Sequence, residues 1–309
     1  SFDSWTGSEA EHFLGVEVDL EDAAVVLGLA SANRSALDAP QWALLEDKVE
    51  LHRLLSSVDG QSRLHWPQTF VLPFESDRAA DCISALSSTG HSAWWSKAAN
   101  GHGGHENTFL ASPEEAMSFV RQGHEPDCEV FEGREFLLQR DVSNCMLVDG
   151  RRFTLRLYLV VVEGPSRSRA FLAREGLVFR ALEGSVVTNC SQAALKLKGS
   201  ARAAGARADP NLRWLKEVLE NRPDFEPGSY ERLWRQLRCL ASSLASGPMQ
   251  AALSRRVGEV GDASVVAPLG VPKILGLDVI LAETSPDGGP STEPWPWLLE
   301  INRFPALGL

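Results

Sequence analysis

The sequence predicts a mixed α+β fold, and three patterns predict it. Apolar residues recur at helical spacing over 40–58, where Trp42, Leu45, Val49, Leu54 and Leu55 share one face. The runs 153–163, 169–175 and 177–182 are β-rich and are punctuated by Gly, Pro and Ser. The chain then closes on two apolar strands, 274–282 and 295–302, divided by the turn Ser285-Pro-Asp-Gly-Gly-Pro-Ser.

In chain order, the first segment runs to about residue 72 and reads as a small N-terminal α/β domain. It holds a short apolar stretch, 23–29, then the 40–58 helix with Pro40 in its first turn and Lys48 along it. Trp66-Pro67 breaks the chain before a short strand, 69–72. The second segment carries a strand at 93–97, the loop Asn100-Gly-His-Gly-Gly-His105 and a strand near 108–111. Ser112-Pro-Glu-Glu115 is a helix start: a serine cap, a proline at the first position and a glutamate three residues after the cap. A strand at 135–139 leads into Arg140-Asp-Val142. After the β-rich runs, the small residues of 198–208 predict a mobile basic loop, and helices are expected near 210–220 and 229–246.

With 309 residues, 44% of them apolar, the chain is long enough for one large core or several small ones. No stretch approaches the roughly 20 apolar residues that span a bilayer, so no membrane partner is expected. The net charge of −11 argues against a nucleic-acid partner, which calls for a basic footprint. Five cysteines form no CxxC pair, so neither a disulfide framework nor a zinc site is indicated. The N-terminal residues lack the positive charge of a signal peptide, and a reducing, cytoplasmic setting is the simplest expectation.

The residues that bear on chemistry begin with the last two strands. Alternation places Glu300 and Asn302 on one face, and Asp278 interrupts the apolar run Ile274-Leu-Gly-Leu-Asp-Val-Ile-Leu281. On antiparallel neighbours, the three would offer oxygen ligands suited to magnesium. Taken alone, the pattern fits equally well a hydrogen-bonded Asp278 and a surface Glu300. Lys97 ends an apolar strand just before the glycine loop, whose small residues let backbone N–H groups approach phosphate. Thr154 and Arg156 share the polar face of an aliphatic strand, and Arg174 ends the next run. His102 and His105 have no third ligand spaced to join them and read as polar loop contacts. No Ser/His/Asp or Cys–His arrangement has a supporting local motif.

Taken together, these segments resemble the tubulin tyrosine ligase-like branch of the ATP-grasp superfamily. Trp297-Leu-Leu-Glu-Ile-Asn-Arg-Phe-Pro-Ala-Leu307 is similar to that family's WLLEVNxxPSL ending, and Ile274-Leu-Gly-Leu-Asp278 to its FGFDF-type strand. Phe136-Leu-Leu-Gln-Arg140 with Leu147-Val-Asp-Gly-Arg-Arg-Phe-Thr-Leu-Arg156 resembles LVQKY…LLIDGRKFDLR. Phe171-Leu-Ala-Arg-Glu-Gly176 is similar to YLYREG, Val187-Thr-Asn-Cys-Ser191 to LTNxS, and Trp95-Ser-Lys97 to WIxKP or WIxKS.

The resemblance implies two α+β lobes holding ATP, spanning 73–142 and 143–309, beside the N-terminal unit at 1–72. It implies a carboxylate–amine ligase that forms an amide through an acyl phosphate. The acceptor would be a protein or peptide tail or a small amino acid. Asp278, Glu300 and Asn302 would hold Mg2+, and Lys48 and Lys97 would contact phosphates. Gln139, Arg140, Asp141 and Val142 would form the hinge that meets adenine through backbone groups. Arg156 and Arg174 would neutralise the γ-phosphate and then the acyl phosphate, with Asn189 near the nucleotide. The chain departs from the family at Thr154, where an Asp is usual, at Arg140-Asp141, and in its two loop histidines. A non-catalytic ATP-binding module is the alternative that these departures suggest.

Overall fold

The computed structural model describes residues 40–57, 65–73, 78–88, 92–100, 106–122, 134–163, 168–181, 186, 188, 212–220, 228–252, 272–284 and 290–303. Helices and two antiparallel sheets make up a mixed α+β architecture. The helical pattern at 40–58 forms two helices instead of one, α1 (Pro40–Glu46) and α2 (Lys48–Ser57). Asp47 divides them. Its Oδ1 accepts from the N–H groups of Val49 and Glu50 at 2.9 and 3.0 Å, so the break doubles as the cap of α2.

The smaller sheet has the order β1-β4-β2-β3, formed by β1 (Thr69–Leu72), β2 (Trp94–Ala98), β3 (Asn107–Leu110) and β4 (Phe136–Arg140). The end of the N-terminal segment is thus an edge strand of the sheet built by the central one. Helices α3 (Arg78–Ser88) and α4 (Pro113–Gln122) cover one face, where Phe70, Leu72, Trp94, Phe136 and Leu138 pack on Cys82, Leu86, Ala116 and Val120. At the start of α4, Ser112 Oγ accepts from the Glu115 N–H at 3.3 Å. The Glu115 carboxylate returns to the N–H of Ala111, one residue before the cap. Strand alternation turns Trp95, Lys97 and Gln139 to the other face.

The larger sheet runs β10-β9-β6-β7-β8, with the short β5 (Leu147–Val148) beside β6. Its long strands are β6 (Arg151–Glu163), β7 (Ser168–Arg180), β9 (Pro272–Thr284) and β10 (Pro290–Asn302). The expected runs 169–175 and 177–182 are one strand, β7, with an irregularity opposite β6 between Leu157 and Leu159. Gly176 carries it past β6: a Cβ there would meet the Arg156 carbonyl oxygen and Leu157 Cδ2 at 2.9 Å each. Asp149 and Gly150, at φ of 52° and 72°, make the left-handed turn between β5 and β6. The expected helix near 210–220 opens as a strand, β8 (Leu212–Trp214), paired to β7, before α5 (Leu215–Glu220).

One face of the large sheet is apolar: Leu155, Leu157, Leu159, Leu275, Leu277, Val279, Leu298 and Ile301. It packs with α1, α2, α5 and α6 (Ser229–Ser246), whose Leu233, Leu237, Leu240 and Leu244 recur at helical spacing. Each fully buried Leu of this kind contributes about 1.5–3 kcal/mol relative to exposure. The opposite face carries Thr154, Arg156, Asp278 and Glu300 alongside the apolar Ile280 and Leu299, and it meets Trp95, Lys97 and Gln139 of the small sheet at a cleft. No helix among the described residues is long and apolar enough to cross a membrane.

Candidate functional site

Register builds the polar face. On the central strands, Asp278 stands directly across from Arg156 on one side and Glu300 on the other. A row of three charged residues therefore crosses β6, β9 and β10. Arg156 grips Asp278 with both prongs, Nε to Oδ1 at 2.5 Å and a terminal nitrogen to Oδ2 at 2.7 Å. Asn302, two residues beyond Glu300, donates its Nδ2 to Asp278 Oδ2 at 3.1 Å and Glu300 Oε1 at 3.4 Å. The Arg156 guanidinium also lies over the Phe179 ring, 5.5 Å from its centroid.

From the side, α2 contributes Lys48, whose Nζ lies 3.4 Å from Glu300 Oε2. Its backbone N–H bonds the Ala99 carbonyl, tying α2 to the end of β2. Arg303 reaches Glu46 at 3.0 Å and fastens the end of β10 to α1. Lys97 comes from the small sheet. Its Nζ donates to Gln139 Oε1 at 2.7 Å; Gln139 donates to Thr69 Oγ1, which donates to the Pro67 carbonyl.

Lys97, Gln139, Asp278 and Glu300 line one cleft between the two sheets, with about 690 Å³ of empty space, part of it open to solvent. Lys48, Arg156 and Asn302 stand behind its two carboxylates. Lys97, Gln139, Thr154, Asp278 and Glu300 make its polar end. Its other end is apolar, where Val142, Ile280 and Leu299 meet Val186. Beside the apolar end, Asp141 Oδ1 accepts from Trp95 Nε1 and from Arg152, both at 2.8 Å. Arg152 also donates to the Val142 carbonyl and to Cys145 Sγ.

Burial and charge set the protonation of these groups. Burial pulls the Lys97 ammonium down to about 8, although the Glu300 charge works the other way. Burial pushes the Asp278 carboxyl up to about 6 in spite of Arg156 on both its oxygens. Burial alone would raise Glu300 too, but Lys48, Asp278, Lys97 and Arg156 together hold it at about 2. Glu300 therefore keeps its charge, and Arg156, Lys48 and Lys97 surround the two carboxylates from β6, from α2 and from the small sheet.

Two carboxylates and an amide on adjacent strands are the hard oxygen donors a magnesium ion takes, with water and phosphate filling the other positions. The Asn302 amide now shows its nitrogen to both carboxylates, so its oxygen would serve a cation after the amide turns over. Among the described residues, no group of three or more His, Cys, Asp or Glu side chains gathers as a metal centre.

Of the residues singled out by sequence, Lys48, Lys97, Gln139, Asp141, Val142, Arg156, Asp278, Glu300 and Asn302 come together around this cleft. Arg140 lies at its edge and reaches Ser92 at 3.0 Å. Arg174 is in β7, between Leu172 and Gly176, but its side chain is outside the described residues. Asn189, the 100–105 loop except Asn100, the stretch 23–29, the loop 198–208 and the turn at 285–289 also lie outside them; Thr188, next to Asn189, lines the cleft. Sequence reasoning missed Arg152. Its signal was present: alternation from Thr154 and Arg156 back two residues puts Arg152 on the same polar face.

Compared with known proteins, the chain matches no protein-family model and no curated sequence.

Proposed function

We propose that this chain binds a magnesium–ATP complex in the cleft between its two sheets and uses it to join a carboxylate to an amine. The observation that carries this reading is the cleft's polarity. One end presents Lys97, Asp278 and Glu300, backed by Lys48, Arg156 and Asn302; the other is lined by the apolar Val142, Ile280 and Leu299. A nucleoside triphosphate has the same division between base and polyphosphate. The likeness of the Glu300 and Asp278 segments to an ATP-grasp ligase supports the reading from the sequence side, and two α+β lobes around a nucleotide are part of the same proposal.

In the proposed reaction, a substrate carboxylate oxygen attacks the γ-phosphorus and the bond to the β-phosphate oxygen breaks, giving an acyl phosphate and ADP. An amine nitrogen then attacks the acyl carbon, the C–O bond to phosphate breaks, and the nitrogen loses a proton as the amide forms. Asp278, Glu300 and Asn302 would hold magnesium, which supplies neutralisation of the polyphosphate charge when bound. Lys97 and Arg156, with Arg174, would stabilise the charge carried by the transferred phosphoryl group. A protein tail, peptide or small amino acid is the proposed acceptor, in a cytoplasmic setting.

One observation favours a second reading, a nucleotide-binding module without turnover. Asp278 is engaged on both oxygens by Arg156, and the neighbouring position on β6 is the neutral Thr154. Release of ADP and phosphate, measured with Mg-ATP and pools of amino acids and peptides, separates the two. Acceptor-dependent ADP release supports the ligase; ATP binding without ADP across broad pools supports the module.

A further inference from the structure

The apolar end of the cleft carries a carboxylate that the proposed chemistry does not use. Asp141 follows β4, and its Oδ1 is fixed by two donors, Trp95 Nε1 and Arg152, at 2.8 Å each. Among the described residues nothing donates to its Oδ2, and that atom is not among the sealed, unpartnered polar atoms. Asp141 lines the cleft beside Val142, Ile280 and Leu299. Three backbone groups around it are already bonded. The Arg140 N–H bonds the Gln68 carbonyl at 2.8 Å, the Asp141 N–H bonds the Ala93 carbonyl at 2.9 Å, and the Val142 carbonyl takes Arg152. A base entering the apolar slot therefore meets a fixed acceptor, while the Arg140 and Asp141 N–H donors are spent.

We propose that Asp141 selects the base of the nucleotide, its Oδ2 accepting a hydrogen bond from an exocyclic amino group of a purine. This inference rests on the nucleotide reading above. The amino group is N6 in adenine and N2 in guanine; hypoxanthine has neither, and its O6 would oppose the carboxylate lone pairs. Trp95 and Arg152 keep the carboxylate from turning away, so a base without the amino group leaves the acceptor unmatched.

Equilibrium competition by Mg-ATP, Mg-GTP and Mg-ITP against a fluorescent ATP analogue tests this on the full chain. ATP or GTP is expected to bind roughly 10- to 100-fold more tightly than ITP, the range for a hydrogen bond to a charged group. Which of the two wins tells whether N6 or N2 is read. Asp141→Asn keeps an oxygen for Trp95 and Arg152 and puts an amide N–H where Oδ2 stood. It should bring the ratio to one or invert it in favour of ITP, measured on folded protein, because losing the charge opposite Arg152 lowers the melting temperature. ITP binding as tightly as both ATP and GTP overturns the inference, as does a folded Asp141→Asn with the wild-type ratio. If that variant fails to fold, the wild-type ratio decides alone. Binding of none of the three contradicts the nucleotide reading itself, and this inference with it.

Discussion

Lys97 and Arg156 bring positive charge to one cleft from opposite sheets, and they are held in opposite ways. Arg156 is clamped bidentately to a carboxylate across one strand pair. Lys97 leans on a neutral amide, Gln139, itself 1% exposed and anchored through Thr69. Breaking a buried, well-matched ion pair leaves a charge stranded, whereas removing a buried ammonium relieves a desolvation cost. The large sheet therefore spends its charges on its own structure until a ligand exchanges partners with them. The small sheet presents a cation whose charge is less firmly held.

The widest separation is expected in stability. Arg156→Met should destabilise the fold by about 3–5 kcal/mol, because Asp278 is left buried without its cation. Lys97→Met should stay within about 1 kcal/mol of wild type, since the relieved desolvation offsets the hydrogen bond lost by Gln139. Chemical denaturation of both variants checks the contrast; equal losses would erase the difference drawn here.

Function should divide differently. Glu300→Gln keeps the shape and leaves an oxygen for Lys48, so the chain should still fold, with a lower melting temperature for the lost charge, while ADP formation falls by about 10²-fold or more. Wild-type-like turnover would mean that Glu300 does not hold the metal. Gly176→Ala should cost about 1–3 kcal/mol by forcing β7 away from β6. Urea titration would detect that loss, and a silent substitution would contradict the close approach of the two strands.

The smallest effect is a pH dependence peculiar to Lys97. Its free-state ammonium loses its proton near 8, below the ordinary lysine value, because it is buried. A polyphosphate prefers the charged form, so affinity should fall as pH rises above about 8, by up to about tenfold per unit. Lys97→Arg should flatten that slope, as arginine stays charged. An unchanged slope in the arginine variant would assign the effect to another group.

Much of this was legible because strands and helices write their periods into the chain. The strand 69–72 and the helix 229–246 stand where the pattern put them, and alternation alone set Glu300 beside Asn302. The break at Asp47 was not legible, since an aspartate within an apolar helical pattern also fits an unbroken exposed turn. Nor was β8, a three-residue strand that exists because β7 offers it an edge. Register across β6, β9 and β10 is a tertiary fact, so the pairing of Arg156 with Asp278 could not be read from spacing. The Lys48–Glu300 and Lys97–Gln139 contacts join residues 252 and 42 positions apart for the same reason.

The central claim is that the cleft takes a nucleotide together with magnesium. Isothermal titration of the full chain with a non-hydrolysable ATP analogue, with and without Mg2+, tests it most directly. Saturable one-to-one binding that strengthens with Mg2+, and loses that strengthening in Glu300→Gln, is the predicted result. No binding at any magnesium concentration, or binding indifferent to both the cation and Glu300, would contradict it.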